Sequence, residues 1–156
     1  MKKYELTDDT IRVGDRILHR IKALKSFSKV EEGELGGYVE KDNLDQSGDA
    51  WVSGDAWVYG DARVSGDAWV YGDARVSGNA RVSGENDYTT AKGFGREYRP
   101  TTFFRLKDGG IGVQCGCFYG TLDEFRAKVK ETHKESKMGK EYLMLADLME
   151  YKFKDA

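Results

Sequence analysis

The chain has 156 residues, and 33% of them are charged, yet its net charge is only −2. That balance excludes general electrostatic attraction to long nucleic acid or to a membrane surface. Two cysteines, no apolar run of spanning length and a Met-Lys-Lys start without a hydrophobic stretch predict a cytoplasmic protein without a cleavable leader. The length allows one domain, or a repeat body with small flanking pieces. Charge is unevenly spread: Lys and Arg exceed Asp and Glu by four over residues 1–30, and fall short of them by seven over 31–84.

In chain order, residues 10–24 (TIRVGDRILHRIKAL) alternate apolar and polar about Gly14-Asp15. This predicts a β-hairpin with a two-residue turn, within an N-terminal cap spanning residues 1–34. Ser26 to Glu34 reads as polar linker, and Leu35-Gly36-Gly37-Tyr38-Val39 as the entry to a repeat body over 35–84. From Gly48 the sequence runs GDAWVS GDAWVY GDARVS GDAWVY GDARVS GNARVS G, six hexads without an insertion. A six-residue period suits neither an α-helix nor a free hairpin. Val at every sixth position, with Ala four residues later, requires a coil that returns both to a narrow interior. Gly-Asp supplies the corners, since Gly tolerates positive φ and Asp bonds nearby backbone. The result is a β-solenoid.

Residues 85–100 lose the period and hold the only proline, which predicts a connector. Thr101–Leu106 and Ile111–Tyr119 flank Lys107-Asp108-Gly109-Gly110 as a second hairpin, opening a C-terminal region over 101–156. Thr121-Leu122-Asp123-Glu124 is a capping box, so a helix follows to about Glu135 with Leu122, Phe125 and Val129 buried. Gly139 predicts a break. A last amphipathic helix then carries Tyr142, Leu145, Leu148, Met149 and Phe153 on its apolar side.

The V-x-G-[DN]-A-x pattern resembles the hexapeptide repeat of the left-handed parallel β-helix proteins, a superfamily that includes acyltransferases and γ-class carbonic anhydrases. The resemblance implies a mainly β fold: a short left-handed parallel β-helix of about three coils, three hexads to each triangular turn, flanked by an N-terminal hairpin and by a C-terminal hairpin with two helices. It also implies a homotrimer. The segments IKAL, ELGGYVE and DGGI…CGCFYGTLDEF look like those of small phage and prophage proteins.

With eighteen residues per turn, outward side chains stack into three walls. The first carries Trp51, Ser53, Trp69 and Tyr71. The second carries Trp57, Tyr59, Arg75 and Ser77, and the third Arg63, Ser65, Arg81 and Ser83. Exposed aromatic patches usually mark interfaces, which assigns Trp51, Trp69 and Tyr71 to an oligomer contact. So short a valine core also needs capping or association.

Catalysis finds little support. The resembling acyltransferases use a histidine base and the anhydrases three zinc-binding histidines, whereas this chain has His19 and His133, both outside the repeats. Cys115 and Cys117, two apart on an expected strand, lack the further ligands zinc needs and read as small hydrophobes. Stacked Asp49/Asp67, Asp55/Asp73 and Asp61/Asn79 fit turn chemistry better than calcium. Gly109-Gly110 and Gly93-Phe94-Gly95 lack phosphate-loop context. No metal and no cofactor are expected.

Two functions follow from different features. The first is a non-catalytic oligomeric binding protein, phage-encoded and opposing host defence by sequestering a nucleotide-like signal or occluding a host protein. Its small anionic ligand would sit in intersubunit clefts on Trp57, Tyr59, Arg63, Trp69, Tyr71, Arg75 and Arg81, by stacking and forked donation. The second is an assembly module that trimerises without ligand and meets its partner through Tyr142, Leu145 or Met149. An atypical acyltransferase using His19 or His133 is the remaining reading.

Overall fold

The computed structural model describes residues 2–95 and 99–154. Strands β1 (Tyr4–Val13) and β2 (Arg16–Ala23) pair antiparallel around a turn at Gly14, whose φ is 61°, and Asp15. β3 (Leu35–Val39) adds antiparallel to the other edge of β2. Each regular hexad then contributes one two-residue strand: β4 (Trp51–Val52), β5 (Trp57–Val58), β6 (Arg63–Val64), β7 (Trp69–Val70), β8 (Arg75–Val76) and β9 (Arg81–Val82). They pair in parallel eighteen residues apart, Trp51 with Trp69, Trp57 with Arg75 and Arg63 with Arg81.

The pattern of burial explains the winding. All six repeat valines, Val52 to Val82, are at most 1% exposed, and their alanines, Ala50 to Ala80, are fully buried. Gly54, Gly60, Gly66, Gly72 and Gly78 turn the corners with φ of 60° to 68°, a region that costs a residue with a Cβ. The lead-in is less regular. Val39 lies beside Val58 and Leu44 beside Val64, at spacings of nineteen and twenty residues. Asn43 absorbs the extra length, its amide donating to the carbonyls of Gly60 and Ala62.

Trp51 does not stand on an outer wall. Residues 26–34 are more than polar linker: they fold over the first wall and set Phe27 edge-on against the indole at 5.5 Å. Trp51 is fully buried, so it is not available to an oligomer contact. A Cβ on Gly36 would collide with the same ring, with Ile21 and with the Val52 carbonyl. A Cβ on Gly37 would strike the Ala56 carbonyl and the Val52 side chain, so both glycines of ELGGYV are required by close approach.

Both ends of the coil are covered. Upstream, Lys3 is fully buried and its ammonium donates to the Ala50 carbonyl at 2.7 Å, while the Tyr4 hydroxyl bonds the Leu44 carbonyl. Downstream, the expected connector holds a strand, β10 (Tyr88–Ala91); its residues 96–98 lie outside the described residues. β10 joins β11 (Thr101–Arg105), β12 (Ile111–Cys115) and β13 (Phe118–Thr121) in a four-stranded antiparallel sheet, larger than the expected hairpin. Successive residues of β11 face opposite ways. Phe104 joins the solenoid core and Phe103 joins a second core beneath the helices. Leu106 bridges Ala80, and the Arg75 amide donates to Thr102 Oγ1 at 2.9 Å, so β11 lies along the last turn. Unpaired strand edges invite aggregation, and both flanks mask them.

β12 ends at Cys115, and a tight turn through Gly116 (φ 58°) and Cys117 leads into β13. The two cysteines therefore do not share a strand. Cys115 is half-buried and accepts from Thr101, whereas Cys117 is exposed. Helix α1 (Leu122–His133) opens with the full capping box of Thr121 and Glu124 and buries Leu122, Phe125 and Val129. Helix α2 (Lys137–Lys152) begins before Gly139, so the break falls at Lys134, with φ 50°, and at the N-cap Ser136. Gly139 instead permits close approach, since a Cβ there would press on His133 and the Lys134 carbonyl. Tyr142, Leu145, Met149 and Phe153 are buried in the chain's own core, which removes the first three as partner contacts; Leu148 is 57% exposed. Among the described residues no helix is long and apolar enough to cross a membrane.

Lys3→Met should cost about 1–3 kcal/mol, because it leaves buried carbonyls without a donor. Burial pulls the Lys3 pKa below 10.5, with Asp45 and Asp49 opposing it. Between the lowered native value and 10.5 the unfolded chain binds more protons, so Lys3 makes stability rise with pH in that window. Urea titrations of both proteins through that window should show the rise shrinking in the variant; an unchanged slope would contradict the buried ammonium.

Candidate functional site

The three walls do not bring the predicted residues to one place. Trp57, Tyr59 and Arg75 share the second wall. Arg63 and Arg81 stack on the third, as paired neighbours on β6 and β9. Trp69 and Tyr71 remain on the first, where the Tyr88 hydroxyl donates to the Trp69 carbonyl at 2.7 Å and its ring meets Tyr71 edge-on. Trp69 packs partly into the core, and Tyr71 stays 59% exposed.

The second wall opens into a cleft of about 930 Å³. Its floor is Trp57, Tyr59, Arg75 and Ser77. One side is the tip of the β1–β2 hairpin, Val13 to Arg16, and the other comes from the C-terminal sheet through Arg99, Gln114, Cys117 and Tyr119. All these lining residues belong to one chain.

Arg75 is its central cation. The guanidinium lies 3.8 Å from the Trp57 ring centre, a stacked cation–π contact. One terminal nitrogen donates to the carbonyls of Asp55 and Ala74, at 3.2 and 3.1 Å. Among the described residues no carboxylate lies within ion-pair distance of Arg75. Burial pulls its pKa below the ordinary guanidinium value, and the more distant Asp73 and Asp55 only partly compensate. A cation held in this way gains from an incoming anion.

The other groups set the shape. Tyr59 is half-buried; burial raises its pKa above 10, against the pull of Ser77, Arg16 and Arg75. Arg16 reaches over the Tyr59 ring at 5.9 Å while pairing with Glu40 at 2.7 Å. Ser77 donates to Gln114 Oε1 at 2.9 Å, and Gln114 Nε2 donates to the Gly116 carbonyl at 3.0 Å. This chain of bonds ties the solenoid wall to the sheet. Tyr119 lies across the Gly78 corner, where any Cβ would strike its hydroxyl, and its ring stacks on Phe104 at 6.4 Å. Asp15 and Asp73 also line the cleft, so it offers carboxylate acceptors beside its cations.

Neither histidine lines the cleft. His19 contacts the Thr7 carbonyl at 3.0 Å, and His133 packs beside Tyr142. Arg16, Arg99, Gln114 and Tyr119 are wall residues that the repeat pattern does not reveal. One sequence signal existed: Gln114 interrupts an apolar strand, and a buried amide needs partners.

Eighteen-residue parallel pairing around a Val/Ala interior makes this a β-solenoid repeat protein. Residues 56–72 and 74–85 match the family model described as YdcK Beta solenoid repeat. No curated protein matches the chain.

The seat of Tyr119 can be isolated by two substitutions. Gly72 and Gly78 have φ of 67° and 63°, but a Cβ at Gly72 meets nothing. Gly72→Ala should therefore cost about 1 kcal/mol, the backbone strain alone, and Gly78→Ala clearly more. Equal melting temperatures for the two variants would show that Tyr119 does not rest on that corner.

Proposed function

We propose that this protein is a non-catalytic binding protein that takes a small, flat, anionic ligand of the nucleotide type into the cleft of the second wall. Arg75 carries the reading: a half-buried guanidinium, stacked on Trp57, facing a cavity and lacking a carboxylate partner among the described residues. In this proposal a phosphate takes the forked donors of Arg75, with Arg16 and Arg99 at the rim. A planar ring lies between Tyr59 and Tyr119, which flank the same space. Asp15 and Asp73 supply acceptors for ring amino groups. Sequestering such a molecule, as a phage protein opposing a host signal would, requires binding alone. The coil is taken as left-handed with about three turns, following the hexapeptide pattern.

Arg75→Met keeps an apolar side chain on Trp57 but removes the charge. Titrating adenosine 5′-monophosphate calorimetrically into both proteins should show at least about a tenfold loss of affinity in the variant, at an unchanged melting temperature. Equal heats in the two, or none with the parent, would refute the reading.

The assembly reading draws on a different observation. Met144, Leu148 and Tyr151 are 70%, 57% and 76% exposed, and their spacing of four and three residues forms one stripe along α2. If that stripe joins copies into the trimer that the hexapeptide resemblance implies, light scattering gives three times 17.6 kDa for the parent. Leu148→Asp then returns the mass to that of one chain; a monomeric parent would dismiss this reading.

A further inference from the structure

The third wall carries a second, independent cavity that the proposed ligand cleft does not use. It encloses about 440 Å³ on the far side of the Gly60 corner and is lined by Lys41, Arg63, Arg81 and Lys107, with Asp42, Asp61, Asn43 and Asn79. Four cations thus face two carboxylates. The balance is weaker still in contact terms. Lys41 reaches Asp61 at 3.3 Å and Arg63 reaches Asp42 only at 3.9 Å, and all four side chains are about half exposed or more. Such pairs are loose and readily exchanged. Arg81 donates to the Asp61 and Ala80 carbonyls and meets no carboxylate among the described residues. Arg63 and Arg81 are directly paired across β6 and β9, which sets two like charges side by side on the wall.

The sequence departs from its repeat at this same place. Asp49, Asp55, Asp61, Asp67 and Asp73 occupy the corner position of the other regular hexads, and Asn79 alone replaces it. Asn79 lines the cavity, and its carbonyl accepts the Lys107 amide at 2.9 Å, which holds that lysine beside it. A carboxylate here would halve the excess of cations, leaving four against three. The amide keeps the turn and leaves the wall cationic.

We propose that this cavity is a binding site for a phosphate chain, two or more linked phosphates, gripped by Arg63 and Arg81 with Lys41 and Lys107 at its sides. Spaced cations on one wall suit a chain of charges better than a single anion. Such a chain occurs free, as an inorganic oligophosphate, or as the tail of a nucleoside triphosphate.

Asn79→Asp is the deciding substitution, because it installs the residue that the other five corners already carry. Inorganic tripolyphosphate and adenosine triphosphate are titrated separately into the parent, Asn79→Asp and Arg75→Met proteins, with melting curves for each. The expected result is tripolyphosphate binding that weakens about tenfold or more in Asn79→Asp at an unchanged melting temperature, and that Arg75→Met leaves intact. Binding of the triphosphate alone, still sensitive to Asn79→Asp, assigns the site to a nucleotide tail. Absence of Asn79-sensitive binding by either probe overturns the proposal. Loss of adenosine monophosphate binding has no bearing on it, so the two sites stand or fall separately.

Discussion

The whole molecule depends on the narrow interior that Val and Ala create when chain segments eighteen residues apart pair in parallel. Small and β-branched side chains fill it along the regular hexads, and glycine corners with positive φ let the chain return without a long loop. Once valine points inward, its neighbours on either side must point outward. Wall identity is therefore a consequence of packing. Tryptophan, tyrosine and arginine are separated on different faces because the coil, and no specific attraction, distributes them.

The same pairing leaves two open ends, and the way they are covered converts a repeat into a molecule with a site. Upstream, β3 continues the second wall while the β1–β2 hairpin projects beside it. Downstream, β11 lies along the last turn and swings β12 and β13 round to the same side. Both flanks thus overhang the second wall, and the cleft is the space between them. The Ser77–Gln114–Gly116 bonds and the Tyr119 ring against the Gly78 corner fix one rim to the other element.

Cation placement then separates structural from receptive arginines. Arg126 meets Asp123, Asp147 and Glu150 and clamps the two helices together. Arg20 stacks on Tyr38 while reaching Asp9 and Asp55. Arg75 and Arg81, by contrast, spend one nitrogen each on backbone carbonyls and meet no carboxylate among the described residues. Desolvating a guanidinium without a counter-ion opposes stability, so at Arg75 an anion supplied from outside relieves a cost already present in the fold.

The repeat architecture was legible in the sequence because periodicity is a local property that six copies average over. The hairpin at Gly14-Asp15, the capping box at Thr121 and the three-wall separation follow from the same kind of short-range rule. What the chain order alone did not reveal was coverage. Trp51 looks outward in its hexad, yet residues 26–34 bury it, and the supposed connector supplies β10. Tyr142, Leu145 and Met149 turn inward because Gly139 lets α2 approach the end of α1. The cleft was half legible: Trp57, Tyr59 and Arg75 share a wall by arithmetic, while Arg16, Arg99, Gln114 and Tyr119 arrive from outside the repeats, more than twenty residues away. Local sequence determined which side chains stand on each face of the coil. Tertiary folding decided which face stayed open, because that depends on where two distant flanks come to rest against it.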